Sequence, residues 1–166
     1  MKRIATKSSG APDFNDVRGY QARSEVAVVE DWINEMRRQG CWIQDYRIES
    51  VQDDPPDCVV RFDETRVGVE VTTLWEPCEP AWSFDEFQDR LRKRVAKKDG
   101  EASRDSSTPR QFLLIRITYL HNLHRERLDT ITLPKPENLD RVYLVVDYQP
   151  DPPGEEHYPI FRLRFV

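Results

Sequence analysis

The sequence predicts an α/β fold in which a mixed central sheet is flanked by helices, with extra strands towards the C-terminal end. Three observations lead there. Apolar residues recur at helical spacing in two segments. Elsewhere they alternate or run continuously over short stretches. The segments follow the order α-β-β-β-α-β, then a loop-rich connection and two more strands. At 166 residues the chain suits one domain with a real core.

Residues 1–20 are polar and contain Gly10, Pro12 and Gly19, so they are expected to form a flexible arm ahead of a single domain over 21–166. The first helix is predicted from Ala22 to Gln39. Val28, Val29, Trp32, Ile33 and Met36 form its buried stripe, and Gly40 stands where a left-handed C-terminal cap belongs. Extending the stripe back one turn reaches Glu25 rather than Glu30.

Three strands are expected next. Trp42–Val51 is the first, closed by a turn or kink at Asp53-Asp54-Pro55-Pro56. Cys58–Phe62 and Val67–Leu74 make a hairpin around Asp63-Glu64-Thr65-Arg66. On the second arm Val67, Val69 and Val71 face one way, and Gly68, Glu70 and Thr72 the other.

The second helix is predicted over Phe84–Lys98. Ser83 with Glu86 three residues later is a capping box, and Gly100 supplies the stop. Its apolar stripe is Phe84, Phe87, Leu91 and Val95, with Gln88 and Lys98 on or beside it. Phe112–Leu120 reads as a buried strand. Val142–Tyr148 and Tyr158–Val166 are the two late ones.

Composition narrows the functional classes. No run of ~18 apolar residues is present, so no membrane span is expected, and the basic start lacks the apolar stretch of a secretory signal. Cys41, Cys58 and Cys78 have no C-x-x-C spacing, which fits reduced thiols in a cytoplasmic protein rather than disulfides or a zinc site. A net charge of -5 gives no global attraction for phosphate, so nucleic-acid binding would rest on local basic patches or on metal ions. His121 and His124 follow a strand and read as surface or capping residues. The basic run Arg90, Arg92, Lys93, Arg94, Lys97, Lys98 either tracks a nucleic-acid backbone or forms a solvated face balanced by Asp85, Glu86 and Asp89.

Pro56-Asp57, followed by Glu70-Val71-Thr72 on the next hairpin arm, carries the chemistry. Carboxylates held together repel one another, and a divalent cation with oxygen ligands, Mg²⁺ or Mn²⁺, relieves that repulsion. In residues and element order, 22–120 resembles the core of the PD-(D/E)XK nuclease superfamily, with its restriction-endonuclease-like fold. That superfamily places an Asp before the second core strand and an acid-x-Lys on the third.

The resemblance implies a metal-dependent nuclease acting on DNA or RNA. Asp57 and Glu70 would be metal ligands, and Glu25 a third ligand or supporting acid. Thr72 stands in the usual Lys position, so Lys98 on the neighbouring helix would supply the cation, with Arg94 and Lys97 as further candidates.

Each residue also has a plainer reading. Asp57 suits a turn, Glu70 a solvent-facing strand position, Glu25 a helix N-terminus and Lys98 a helix C-terminus. Two other functions fit the sequence. One is a non-catalytic protein of the same fold that binds a partner protein or nucleic acid. The other is a small regulatory or immunity-type homodimer joined through its C-terminal edge strand, where Tyr158–Val166 alternates apolar and basic residues.

Overall fold

In the computed structural model the described residues are 17–41, 45–51, 55–74, 82–102, 108–117, 124, 126–146 and 160–166, with side chains from Glu25 onward. The expected arm 1–16, Trp42, Trp75, Cys78, His121 and the segment 147–159 lie outside them.

Helix α1 spans Val17–Arg38 and so starts inside the segment expected to be an arm. Its buried face is the predicted one: Val28, Val29, Trp32 and Ile33 are shut from solvent, and Met36 packs at their edge. Gly40 ends the helix at φ +87°, where a side chain would be strained. Its N–H donates to the Arg37 carbonyl at 3.0 Å, and that of Cys41 to Met36 at 2.9 Å. This is the two-bond pattern of a glycine-capped helix end.

The strands β1 (Tyr46–Ser50), β2 (Cys58–Phe62) and β3 (Thr65–Leu74) form an antiparallel meander. The hairpin is tighter than the sequence suggests. Asp63 adopts φ +52°, a conformation that Asp tolerates better than most residues, and Thr65 and Arg66 thereby join β3.

Helix α2 spans Phe84–Glu101 behind the predicted capping box. It runs through Gly100 instead of stopping there. The Asp99 carboxylate anchors its last turn, accepting from the backbone N–H groups of Glu137, Asn138 and Leu139 at 2.8–3.0 Å. Tertiary bonds thus outweigh the weak helix propensity of one glycine.

After α2, β4 (Arg110–Ile117) runs parallel to β3, and β6 (Arg141–Val146) parallel to β4. Between them lie a 3₁₀ turn at Leu128–Thr130 and the short β5 (Thr132–Leu133). The C-terminal segment splits in two. β7 (Ile160–Arg162) pairs antiparallel with β6 at the edge of the main sheet, and β8 (Arg164–Phe165) pairs with β5 in a separate ribbon. The main sheet therefore has the order β1-β2-β3-β4-β6-β7 and is mixed.

Its two faces carry two cores. On one, α1 packs on Cys58, Val60, Val67, Val69, Leu114 and Val145. On the other, Phe87, Leu91 and Val95 of α2 pack on Leu113, Ile115, Ile117, Val142 and Leu144. β4 is buried on both sides over Phe112–Ile115, which is why those four residues read as an unbroken apolar run. Among the described residues no helix is long and apolar enough to cross a membrane.

Candidate active site at the junction of the hairpin and the second helix

The pleat of β3 sends Val67, Val69 and Val71 towards α1 and leaves Gly68, Glu70 and Thr72 on the face covered by α2. Glu70 is 8 % exposed, so it is not a solvent-side residue of a half-wet sheet. The register pairs Cys58 with Val69, and Asp57, one position earlier, comes opposite Glu70.

Asp57 is fixed at that place by two bonds. Its Oδ2 accepts the Val71 N–H at 2.7 Å, and its carbonyl accepts the Val51 N–H at 2.8 Å. The Asp57 and Glu70 carboxyls stand side by side on paired strands, close enough for each to feel the other's charge. Burial is the main force pushing both above the usual carboxylate range, and their mutual repulsion adds to it at Glu70. Glu25, partly buried on α1, also raises Asp57 by repulsion.

Helix α2 brings cations to the same face. Lys98 Nζ donates to Glu70 Oε1 at 2.5 Å and lies 3.1 Å from Glu101 Oε2. Burial opposes the charge on Lys98, but its bonds to Glu70 and Glu101 outweigh that and hold its pKa above the usual value. The same contact lowers Glu101. Despite this partner, the net effect at Glu70 is still upward, because desolvation of the carboxylate exceeds the pairing. One turn earlier on α2, an Nη of Arg94 donates to Thr72 Oγ1 at 3.1 Å.

The structure therefore brings together Asp57, Glu70, Thr72 and Lys98, with Glu25 acting on Asp57. Arg94 also reaches the site. Its position one turn before Lys98 on the same helix was the available sequence signal. Glu101 was not singled out, since nothing in the pattern separates it from other exposed acids. Gln88 turns instead towards Arg92, and Lys93 and Lys97 pair with Asp89 and Glu101 on the outer face.

The glycine beside Glu70 has a structural cause. A Cβ on Gly68 would collide with the Gln111 side-chain amide, which is buried and donates to the Thr108 carbonyl and hydroxyl. His124 is also not the surface residue expected. It is buried and stacked on Phe87, with ring centroids 4.7 Å apart. Trp82 lies under the Arg90 guanidinium at 4.4 Å.

The donor set suits a hard divalent cation. Glu70 Oε2 is buried without a hydrogen-bond partner, and Lys98 occupies only the other oxygen. A pair of carboxylates is the number of protein ligands with which Mg²⁺ commonly binds while keeping several waters. Among the described residues no set of three or more His, Cys, Asp or Glu gathers to hold an ion. Compared with protein-family models, curated proteins and solved structures, the chain has no match.

Proposed function

We propose that the protein is a divalent-metal-dependent phosphodiesterase of the restriction-endonuclease-like class, acting on DNA or RNA. The observation that carries this reading is the meeting of Asp57 and Glu70 on one buried sheet face, with Glu70 Oε2 unpartnered and Lys98 beside it. A core that encloses two mutually repelling carboxyls gives up stability, and a function explains why it would do so.

Asp57 and Glu70 would hold Mg²⁺ or Mn²⁺, with Glu25 assisting from the Asp57 side. When bound, the ion would lower the pKa of a water and offset charge on the phosphate. The protein's own groups would do the rest. The Val71 N–H and the β2–β3 register fix Asp57 opposite Glu70 before any ligand arrives. Lys98 holds the Glu70 carboxylate in one orientation and offsets part of its charge. With Thr72 in the usual Lys position, the cation facing the phosphate would come from α2, which brings Lys98 and Arg94 to this face. The free thiols of Cys41 and Cys58 suit a cytoplasmic setting for such an enzyme.

The test is hydrolysis of bis(4-nitrophenyl) phosphate, single-stranded DNA and single-stranded RNA with Mn²⁺, by wild type and by Glu70→Gln. Turnover that needs Mn²⁺ and is lost in the variant supports the reading. Equal rates in both proteins would remove it.

A further inference from the structure

Lys98 and Arg94 stand one helical turn apart on α2, and both reach the acid-bearing face of β3, but they are engaged differently. Lys98 is held between two carboxylates, Glu70 and Glu101. Its ammonium has little charge left for a third anion. Arg94 spends one nitrogen on a neutral acceptor, the Thr72 hydroxyl. Among the described residues no carboxylate comes within ion-pair distance of it, and Glu101 feels it only as a nearby charge. A guanidinium tethered to an uncharged hydroxyl keeps its charge and its remaining N–H donors, in a planar fork that matches phosphate.

The spacing supports the same division of roles. Glu70 and Thr72 are adjacent on one face of β3, and Lys98 and Arg94 meet them in order from α2. A phosphodiester beside the Asp57–Glu70 pair would therefore lie next to Thr72 and within reach of Arg94. Thr72 itself is buried and brings no positive charge to offset that of a phosphate. It can hold the residue that does.

We infer that Arg94, positioned by Thr72, is the phosphate-binding residue of this site. Lys98 is then a positioning residue for Glu70. The inference rests on the phosphodiesterase reading for the nature of the ligand, but it is testable without turnover.

The experiment measures anisotropy of a 5′-labelled 12-nucleotide oligodeoxynucleotide and of the matching oligoribonucleotide in Ca²⁺. Wild type, Arg94→Gln, Arg94→Lys and Thr72→Val are compared over a salt series, and Mn²⁺ affinity is measured separately by calorimetry. Arg94→Gln is expected to weaken binding of the favoured strand about tenfold, the loss of one charge-assisted contact. The slope of log K against log salt should fall by roughly 0.7, the value for one phosphate on a single strand. Arg94→Lys should restore the slope but only part of the affinity, and Thr72→Val should give a smaller loss in affinity. Mn²⁺ affinity should stay as in wild type in all three.

Unchanged affinity and slope in Arg94→Gln would overturn the assignment, as would a wild-type protein that binds neither strand. Binding that depends on Arg94 in a protein with no Mn²⁺ affinity would sustain this inference and remove the metal-dependent reading instead.

Discussion

The Lys98 ammonium lies 2.5 Å from Glu70 Oε1 and 3.1 Å from Glu101 Oε2, joining the central strand β3 to the last turns of α2. Removing it should do more than delete a charge. Lys98→Met leaves the Glu70 carboxylate buried beside Asp57 with no cation, and such a loss costs more than an exposed pair is worth. We expect a destabilisation of about 2 kcal/mol, measured by urea unfolding at neutral pH. The double variant Lys98→Met/Glu70→Gln should recover most of it. A single variant as stable as wild type would show that the ion pair does not hold α2 to the sheet.

Asp57 and Glu70 titrate above the usual carboxylate range in the folded chain, first because they are buried. The sign follows from linkage. A carboxyl whose folded pKa is raised contributes stability that is present below its unfolded value and lost as pH rises through the folded value. Ionisation of the pair therefore weakens the metal-free protein at neutral pH. In EDTA, Asp57→Asn should melt at a higher temperature than wild type at neutral pH, and the gap should close as the solution is made acid. Melting curves across that range check it. A variant less stable than wild type at neutral pH would mean that the bond from the Val71 N–H outweighs the repulsion.

Gly68 and Gln111 form a second tightly fitted pair. Gly68→Ala places a methyl group in the Gln111 amide, whose bonds to Thr108 limit its retreat. The expected cost is about 1–3 kcal/mol, the usual range for overpacking. Because Glu70 is the second residue beyond it on the same face, the variant should also lose Mn²⁺ affinity. Calorimetric and unfolding measurements on Gly68→Ala check both effects.

Asp99 accepts three backbone N–H groups from 137–139. Asp99→Ala leaves them without that acceptor and should destabilise by about 1–3 kcal/mol. Amide exchange should then speed up in the last turn of α2, next to Lys98. Exchange unchanged there would show that the docked loop does not secure this end of the helix.

Much of this architecture was legible from local pattern. The α1 stripe, the Gly40 cap, the Ser83–Glu86 capping box and the two-faced β3 follow from periods of 3.6 and 2 and from capping chemistry, and the mixed α/β class follows from the element order. Tertiary bonds decided the rest. Gly100 reads as a stop, yet α2 passes through it because Asp99 is tied to a loop far along the chain. Tyr158–Val166 reads as one alternating strand, whereas Leu163 separates two short ones that serve different sheets. His124 reads as a surface residue until Phe87 is seen beneath it.

The site was legible in part. The helical stripe aims Lys98 inward, and the strand alternation places Glu70 with Thr72. That Lys98 is occupied by Glu101 as well as Glu70, and that Arg94 is tied to Thr72, depends on side-chain reach across elements, which spacing does not encode.

The central claim, that Asp57 and Glu70 form a divalent-cation site, is tested most directly by calorimetric titration of Mn²⁺ into metal-free wild type and Glu70→Ala. The account predicts one site in wild type with roughly micromolar-to-millimolar affinity, the range open to a cation bound by few carboxylates and several waters. It predicts no measurable binding in Glu70→Ala, whose circular dichroism should match that of wild type. Absence of binding in wild type, or equal binding in the two proteins, would contradict it.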